Sequence, residues 1–381
     1  MHNGIVTVEG KAMRNRKMKL KTAILILCAA LSTFADTEVV NGITWTYTVE
    51  NDEVSLGAVD DKGTYLTAVP KSTTGEIVIP SKLKGRPVVK IGRAAFFDCG
   101  KLTGVTVPPS IVSVDANAFG QCFGLIKVNI SDIGAWSSIA FAEAYSNPLA
   151  YAKRLYLNGK MMKDLLLLDT VDIGDYTFYS LASISNLTIG GAVKRVGREA
   201  FAYCNGLTNV TFEVGITNIG CCAFFSCCGI DRLFMPESVE SIDSSAFAYC
   251  ESLRHITIPD DIMNIGKDAF MRCNPALYDV KTIPGLKLVD GWVIGVADYD
   301  LTGIINLDGT RGIGNYAFSG CNSLSGVIVP TGVPLIPQPR PRPIPAPPVS
   351  PVVVVRRSSP AMATTLALPL MVTLQEAVAV S

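Results

Sequence analysis

Phenylalanine recurs at positions 96, 119, 178, 201, 224, 247, 270 and 318, and five of the seven intervals are 23 residues. The other two, 59 and 48, are two periods plus 13 and two periods plus 2. A 23-residue unit cannot bury an apolar face by itself, so a fixed period of this length restricts the chain to a solenoid in which each unit stacks on its neighbours.

The stretch Leu253 to Cys273 shows how one unit works. Its recurring apolar positions are Leu253, Ile256, Ile258, Ile262, Ile265, Ala269, Phe270 and Cys273, with mostly polar residues between. Ile256-Thr257-Ile258-Pro259 alternates with period two and is β-branched, so it predicts a short strand that Pro259 ends. Val105-Thr106-Val107-Pro108, Leu187-Thr188-Ile189, Leu233-Phe234-Met235-Pro236 and Val327-Ile328-Val329-Pro330 repeat it. Stacked coils would join these strands into one parallel sheet. Four residues before each Phe stands Gly or Asp, which predicts a tight bend at positive φ. The Ala-Phe-x-x-Cys that follows fits a single helical or 3₁₀ turn that drops Phe96, Phe119, Phe178, Phe201, Phe224, Phe247, Phe270 and Phe318 into the core.

Seven cysteines keep the same period: Cys99, Cys122, Cys204, Cys227, Cys250, Cys273 and Cys321 each lie three residues after the Phe. Cysteine packs as a small hydrophobe, so they read as a column of buried thiols, mostly unpaired even where the compartment permits disulfides. Cys221, Cys222, Cys227 and Cys228 have the local look of a metal cluster. Cys227 belongs to the ladder, however, and adjacent residues of an extended segment point opposite ways. No metal site is expected there.

The ends differ from the middle. Residues 14–21 carry five basic side chains, an apolar run reaches Leu31, and Thr33-Phe34-Ala35 supplies small residues before a cleavage point. Residues 1–35 therefore read as a secretory signal peptide rather than a membrane span. Residues 36–76 alternate apolar and polar and read as a β-rich N-terminal cap with a turn at Asn41-Gly42. The repeats occupy 77–330. Asn158-Gly159 and Asp290-Gly291 predict two-residue hairpins inserted near 151–168 and 283–297. Ten prolines between 331 and 360 predict a disordered, partly polyproline II tail over 331–381. No end cap follows the last repeat, which is also what a truncated or frame-altered end would leave.

The chemistry of catalysis is sparse. Lysine plus arginine equals aspartate plus glutamate at 33 each, which favours neither nucleic acid nor an acidic substrate. Only His2 and His255 are present, and no metalloprotease, phosphate-loop, dinucleotide or serine-hydrolase motif occurs. No cofactor is expected. Scattered carboxylates keep a carbohydrate-active enzyme as the third reading. Binding fits better: outward columns of the strands run through Lys127, Asn209, Arg232 and His255, and through Phe234 and Thr257. Exposed Arg beside an aromatic is a common hot-spot pair.

These units resemble the BspA-like leucine-rich repeats, whose pattern runs approximately L-x-x-V-x-I-P-x-x-V-x-x-I-G-x-x-A-F-x-x-C. The Leu253 to Cys273 unit follows it nearly position for position. The resemblance implies a right-handed leucine-rich-repeat coil, with a parallel β-sheet on one face and short helical or 3₁₀ turns on the other. It further implies a secreted or cell-surface, non-enzymatic protein that adheres to an extracellular protein or glycan. A structural surface-layer or spacer protein is the alternative. Leu368-Pro369-Leu370-Met371-Val372 does not match the family's cell-wall sorting signal.

Overall fold

The computed structural model describes residues 35–170, 172–331, 333, 351–358 and 362–369. The expected signal peptide falls almost wholly outside the described residues. The described residues form a β-solenoid of about eleven coils, as the period requires. Each coil contributes to three ladders.

The first ladder is built from the longer strands. Gly75–Val78, Leu102–Thr106, Lys127–Ile130 and Leu155–Leu157 pair in parallel, as do Asp164–Leu167, Asn186–Ile189 and Asn209–Phe212. Arg232–Phe234 pairs with His255–Thr257, and Gly303–Asn306 with Leu324–Val329. One continuous sheet was expected, but the pairing is divided into four sheets. Two of the breaks fall at the interruptions of the period, where inserted chain displaces the next strand. The second ladder uses two-residue strands such as Arg195–Val196, Asn218–Ile219, Ser241–Ile242 and Asn264–Ile265, also parallel.

The third ladder replaces the expected helical turn, and the coil around Phe224 shows its logic. Ala223, Phe225 and Cys227 donate their N–H groups to the carbonyls of Gly220, Cys222 and Phe224, three residues back. The intervening N–H groups of Cys222, Phe224 and Ser226 donate instead to Ser244, Ala246 and Ala248 of the next coil, at 3.0, 2.8 and 2.8 Å. Left-handed backbone at Cys222 (φ 55°) and Ser226 (φ 58°) makes the alternation possible. The six backbone donors from Cys222 to Cys227 are thus all used, three within the coil and three between coils.

Positive φ therefore sits two residues either side of the Phe, on non-glycine residues except at Gly320, and not on the glycine column where the bend was expected. The glycines are there for close approach. A Cβ on Gly266 would stand 2.3 Å from the backbone nitrogen of Ser244 in the preceding coil. Asp115 and Asp243 share the column, so the approach is not equally tight in every coil. Gly266→Ala should force those two coils apart and cost about 1–3 kcal/mol, the usual range for overpacking. Thermal or urea unfolding measures it. A change below a few tenths of a kcal/mol would contradict the close contact.

Inside, the rings of Phe178, Phe201, Phe224, Phe247 and Phe270 stack nearly parallel, with successive centroids 5.2, 5.2, 5.3 and 5.9 Å apart. Phe96 and Phe119 form a second stack at 4.8 Å. Trp45, from the strand Ile43–Glu50, meets Phe96 edge-on at 6.3 Å and closes that end. Between the stacks the longer interval carries the short helices Ile133–Ser137 and Leu149–Ala152. Their Trp136 is buried and donates its indole N–H to the carbonyl of Thr177 at 3.0 Å. The Phe column is thus interrupted here, because other side chains fill the space between Phe119 and Phe178.

The cysteines lie where the period puts them. The Cys227 thiol donates to the carbonyl of Phe201 at 3.1 Å, and Cys122, Cys204, Cys250 and Cys273 make the same bond at 3.0 to 3.3 Å. The partner is always 26 residues earlier, one period plus three. The ten described cysteines are free thiols, and Cys99 and Cys321 are buried with the others.

Phe318 departs from the pattern. It is only half-buried and packs on a second core that begins around Ile283 and Leu286, separate from the one running from Trp45 to Trp292. Arg311 spans the joint: its guanidinium donates to Asp260 and to the Ile258 carbonyl, each at 2.6 Å, and pairs with Asp290. Asp290-Gly291 is the turn of the antiparallel hairpin Leu286–Val289 and Trp292–Val296, and Asn158-Gly159 that of Leu155–Leu157 and Lys160–Met161. The N-terminal strands Asp36–Val40, Ile43–Glu50 and Glu53–Leu56 form an antiparallel meander, whose last member joins Arg86–Ile91 in parallel.

Beyond residue 331 the described residues are not irregular throughout, as the proline count suggested. Pro351–Ser358 pairs in parallel with Leu324–Val329, and Met362–Pro369 pairs antiparallel with it. Four consecutive valines, Val352 to Val355, carry strand propensity that a proline tally hides. The rest of the predicted tail lies outside the described residues.

Candidate functional site

Parallel register brings four of the six candidate contact residues together. Arg232 stands opposite His255, and Phe234 opposite Thr257. All four are exposed, Phe234 by 65%. Strand alternation explains this, because Leu233 and Ile256 turn inward between them. Asp231 partly neutralises the patch, lying 3.4 Å from Arg232 and 3.3 Å from Arg254. The Thr257 hydroxyl accepts from the Met235 N–H at 3.2 Å.

The other two candidates lie elsewhere. Asn209 sits in a polar row: its side-chain amide donates to Asn186 at 2.7 Å, and Asn186 donates to Asp164. Lys127 is several coils away, paired with Glu76 at 3.0 Å and 5.2 Å above the Tyr156 ring. It is engaged within the fold and is not part of the Arg232 patch.

A second surface, on the edge of the turn ladder, was not anticipated. Tyr179, Tyr203, Phe225 and Tyr249 follow one another at centroid distances of 5.5, 5.5 and 5.0 Å, tilted or edge to face. The Arg272 guanidinium covers the end, 5.4 Å from the Tyr249 ring. The Tyr179 hydroxyl is held well above the usual phenol range, chiefly by burial and then by the nearby Tyr203 and Tyr145 hydroxyls. The residues were visible in the sequence as Phe178-Tyr179, Phe201-Ala202-Tyr203, Phe224-Phe225 and Phe247-Ala248-Tyr249. Because the aromatic alternates between one and two positions after the Phe, a strict column count misses it.

Two further features complete the surface. A hollow of about 640 Å³ opens at the first interruption, lined among others by Ser137, Asp169, Asp172, Asp175 and Arg195. Arg195 already pairs with Asp175 at 3.1 Å. Cys221 and Cys222 do not point apart: their sulfurs are 3.6 Å from each other, because Cys222 is left-handed and the segment is a turn rather than a strand. Among the described residues no three or more His, Cys, Asp or Glu side chains gather as a metal site.

With the strand-turn-strand coil, the inward Phe and the laddered thiol in view, comparison with known proteins decides the family. The sequence model for the BspA type leucine rich repeat region matches six copies, over residues 71–148, 171–289 and 297–338. The chain belongs to the BspA-type leucine-rich-repeat family. Its solved structural neighbours include a leucine-rich repeat protein from Bacteroides ovatus, 20% identical with a TM-score of 0.45. That alignment covers 78% of this chain and 66% of the neighbour, so this chain spans slightly under two thirds of its length. A leucine rich cell surface protein from Faecalibacterium prausnitzii is 19% identical, with a TM-score of 0.38 over 78% and 89%. A leucine-rich repeat protein of T. pallidum is 19% identical, with a TM-score of 0.32 over 58% and 82%. A search of curated proteins finds no match. A BspA-type leucine-rich-repeat solenoid is a repeat scaffold suited to protein interaction. No helix among the described residues is long and apolar enough to cross a membrane.

Proposed function

We propose that this BspA-type protein is a secreted or cell-surface scaffold, non-catalytic, that adheres to an extracellular protein or glycan through its strand face. The basic and apolar run of residues 14–34 supports export. The single observation behind adhesion is the exposed Phe234 ring beside Arg232 and His255, on strands fixed by parallel pairing. An apolar ring left in water on a rigid sheet suits the centre of a contact, with arginine at its side.

The test is binding of the purified protein to a panel of matrix proteins and glycans, repeated with Phe234→Ala and Arg232→Ala. Each should weaken binding about tenfold or more, the loss of about 1.4 kcal/mol or more typical of hot-spot truncation. Both side chains are exposed, so the thermal midpoint should hold. Binding that survives both variants but fails with Tyr203→Ala would move the contact to the aromatic edge. A panel without any binder favours the structural spacer, and turnover of a polysaccharide would overturn the non-catalytic part.

A further inference from the structure

Among the described residues three cysteines fall outside the repeat ladder, Cys221, Cys222 and Cys228, and the first two of them are adjacent. Those two fall three and two residues before Phe224, at positions filled by Arg198-Glu199 in the preceding coil and Ser244-Ser245 in the next. Neither thiol joins the buried ladder. Both are half-buried at the surface, with sulfurs 3.6 Å apart. Two sulfurs bonded at about 2.3 Å to one pyramidal centre, at an angle of about 90–100°, would stand about 3.3–3.5 Å apart, so the pair is nearly at chelating distance before anything binds.

The backbone holds it there. The Cys221 carbonyl accepts from the Glu199 N–H of the preceding coil, and the Cys222 N–H donates to the Ser244 carbonyl of the next, each at 3.0 Å. A pair fixed from both sides loses little freedom on binding.

We propose that Cys221 and Cys222 form a two-thiol site for a soft, trivalent arsenical of the type R–As. Since no third ligand gathers around them, the centre must be satisfied by two protein sulfurs and complete its valence with its own substituent. Soft sulfur donors suit such a centre. The balance with an arsine oxide is R–As=O plus two S–H giving R–As(S)₂ plus water: two As–S bonds form, the As–O bond breaks, and both thiol protons leave on the oxygen. Arsenic stays trivalent, so no oxidant or reductant is needed. Burial, followed by the charge of Cys221, pushes the Cys222 thiol up to about 12. An uncharged dithioarsine removes that opposition.

The test uses the full chain, natively folded, and phenylarsine oxide as the probe. Intact mass should show one phenylarsenic group in place of two thiol hydrogens, resistant to excess monothiol and removed by 2,3-dimercaptopropanol. Peptide mapping of the unmutated protein should place it on the Cys221-Cys222 peptide. Cys221→Ser and Cys222→Ser should each abolish the monothiol-resistant adduct, whereas Cys228→Ser should keep it. Serine fits the turn, since Ser245 holds the same left-handed backbone in the next coil at φ 56°. An adduct mapped elsewhere, one that persists in both serine variants, or none on the native chain would overturn the proposal.

Discussion

Above about pH 9 the solenoid should lose stability steeply, and its ladder thiols are the cause. Burial pushes Cys122 and Cys273 up to about 12 from the ordinary 9.0, and raises Cys227 and Cys250 as well. The unfolded chain releases these protons near pH 9 and the folded one does not, so their contribution is intact below pH 9 and is lost as pH climbs toward 12. Each such thiol costs about 1.4 kcal/mol per pH unit in that window, and four together on the order of 5 kcal/mol per unit. Total stabilities of roughly 5–15 kcal/mol leave little reserve against that slope. Tyr278, pushed up to about 12 by burial, adds to it above pH 10. Thermal midpoints taken from neutral pH to about pH 11 measure the effect, and thiolate absorbance should rise in the same step as the circular dichroism signal falls. Replacing Cys122 and Cys273 by alanine should remove their share of the slope, about 3 kcal/mol per pH unit. A midpoint that stays level through pH 10 would mean that the ladder thiols are hydrated.

Phe224→Ala should cost about 3–5 kcal/mol, the range for removing a fully buried ring. Its ring lies between those of Phe201 and Phe247 and meets Phe212 edge-on at 5.9 Å, so the cavity has aromatic walls on several sides that cannot close in. In a quasi-one-dimensional fold the damage concentrates in adjacent coils. Hydrogen exchange should therefore quicken around residues 196–250 and change little near Trp45. Phe318→Ala provides the contrast, since that ring is half-buried in the second core, and it should cost well under half as much. Equal costs at the two positions would be at odds with the divided core.

What could be read from the chain alone follows from what a period encodes. A column of identical residues reports a shared environment, so the inward Phe201, Phe224 and Phe247, the laddered cysteines and the strands around Leu233 and Ile256 were all legible. The reason for a shared residue is less legible. Glycine is compatible with both positive φ and tight packing, and only the neighbouring coil at Ser244 separates the two. Departures from the period were harder. Phe318 keeps the motif but not the neighbours, and the offset of 48 residues gives no sign that a second core begins. On the surface, the pairing of Arg232 with His255 followed from register, while Lys127 was grouped with them by column alone. Its salt bridge to Glu76 spans 51 residues, and no local pattern announces it. The Tyr203 edge and the Cys221 pair lie in turns, where direction depends on a left-handed residue that the sequence does not mark.

The thiol bond from five of the ladder cysteines to the Phe carbonyl 26 residues earlier has one more consequence. Since that reach equals a full coil plus three, chain added in whole coils reproduces every contact, and chain added in any other amount must be looped out. A gene for such a protein can grow by duplicating 23 codons at a time, whereas the two irregular additions here each break a column of contacts, the first dividing the Phe stack and the second beginning a separate core.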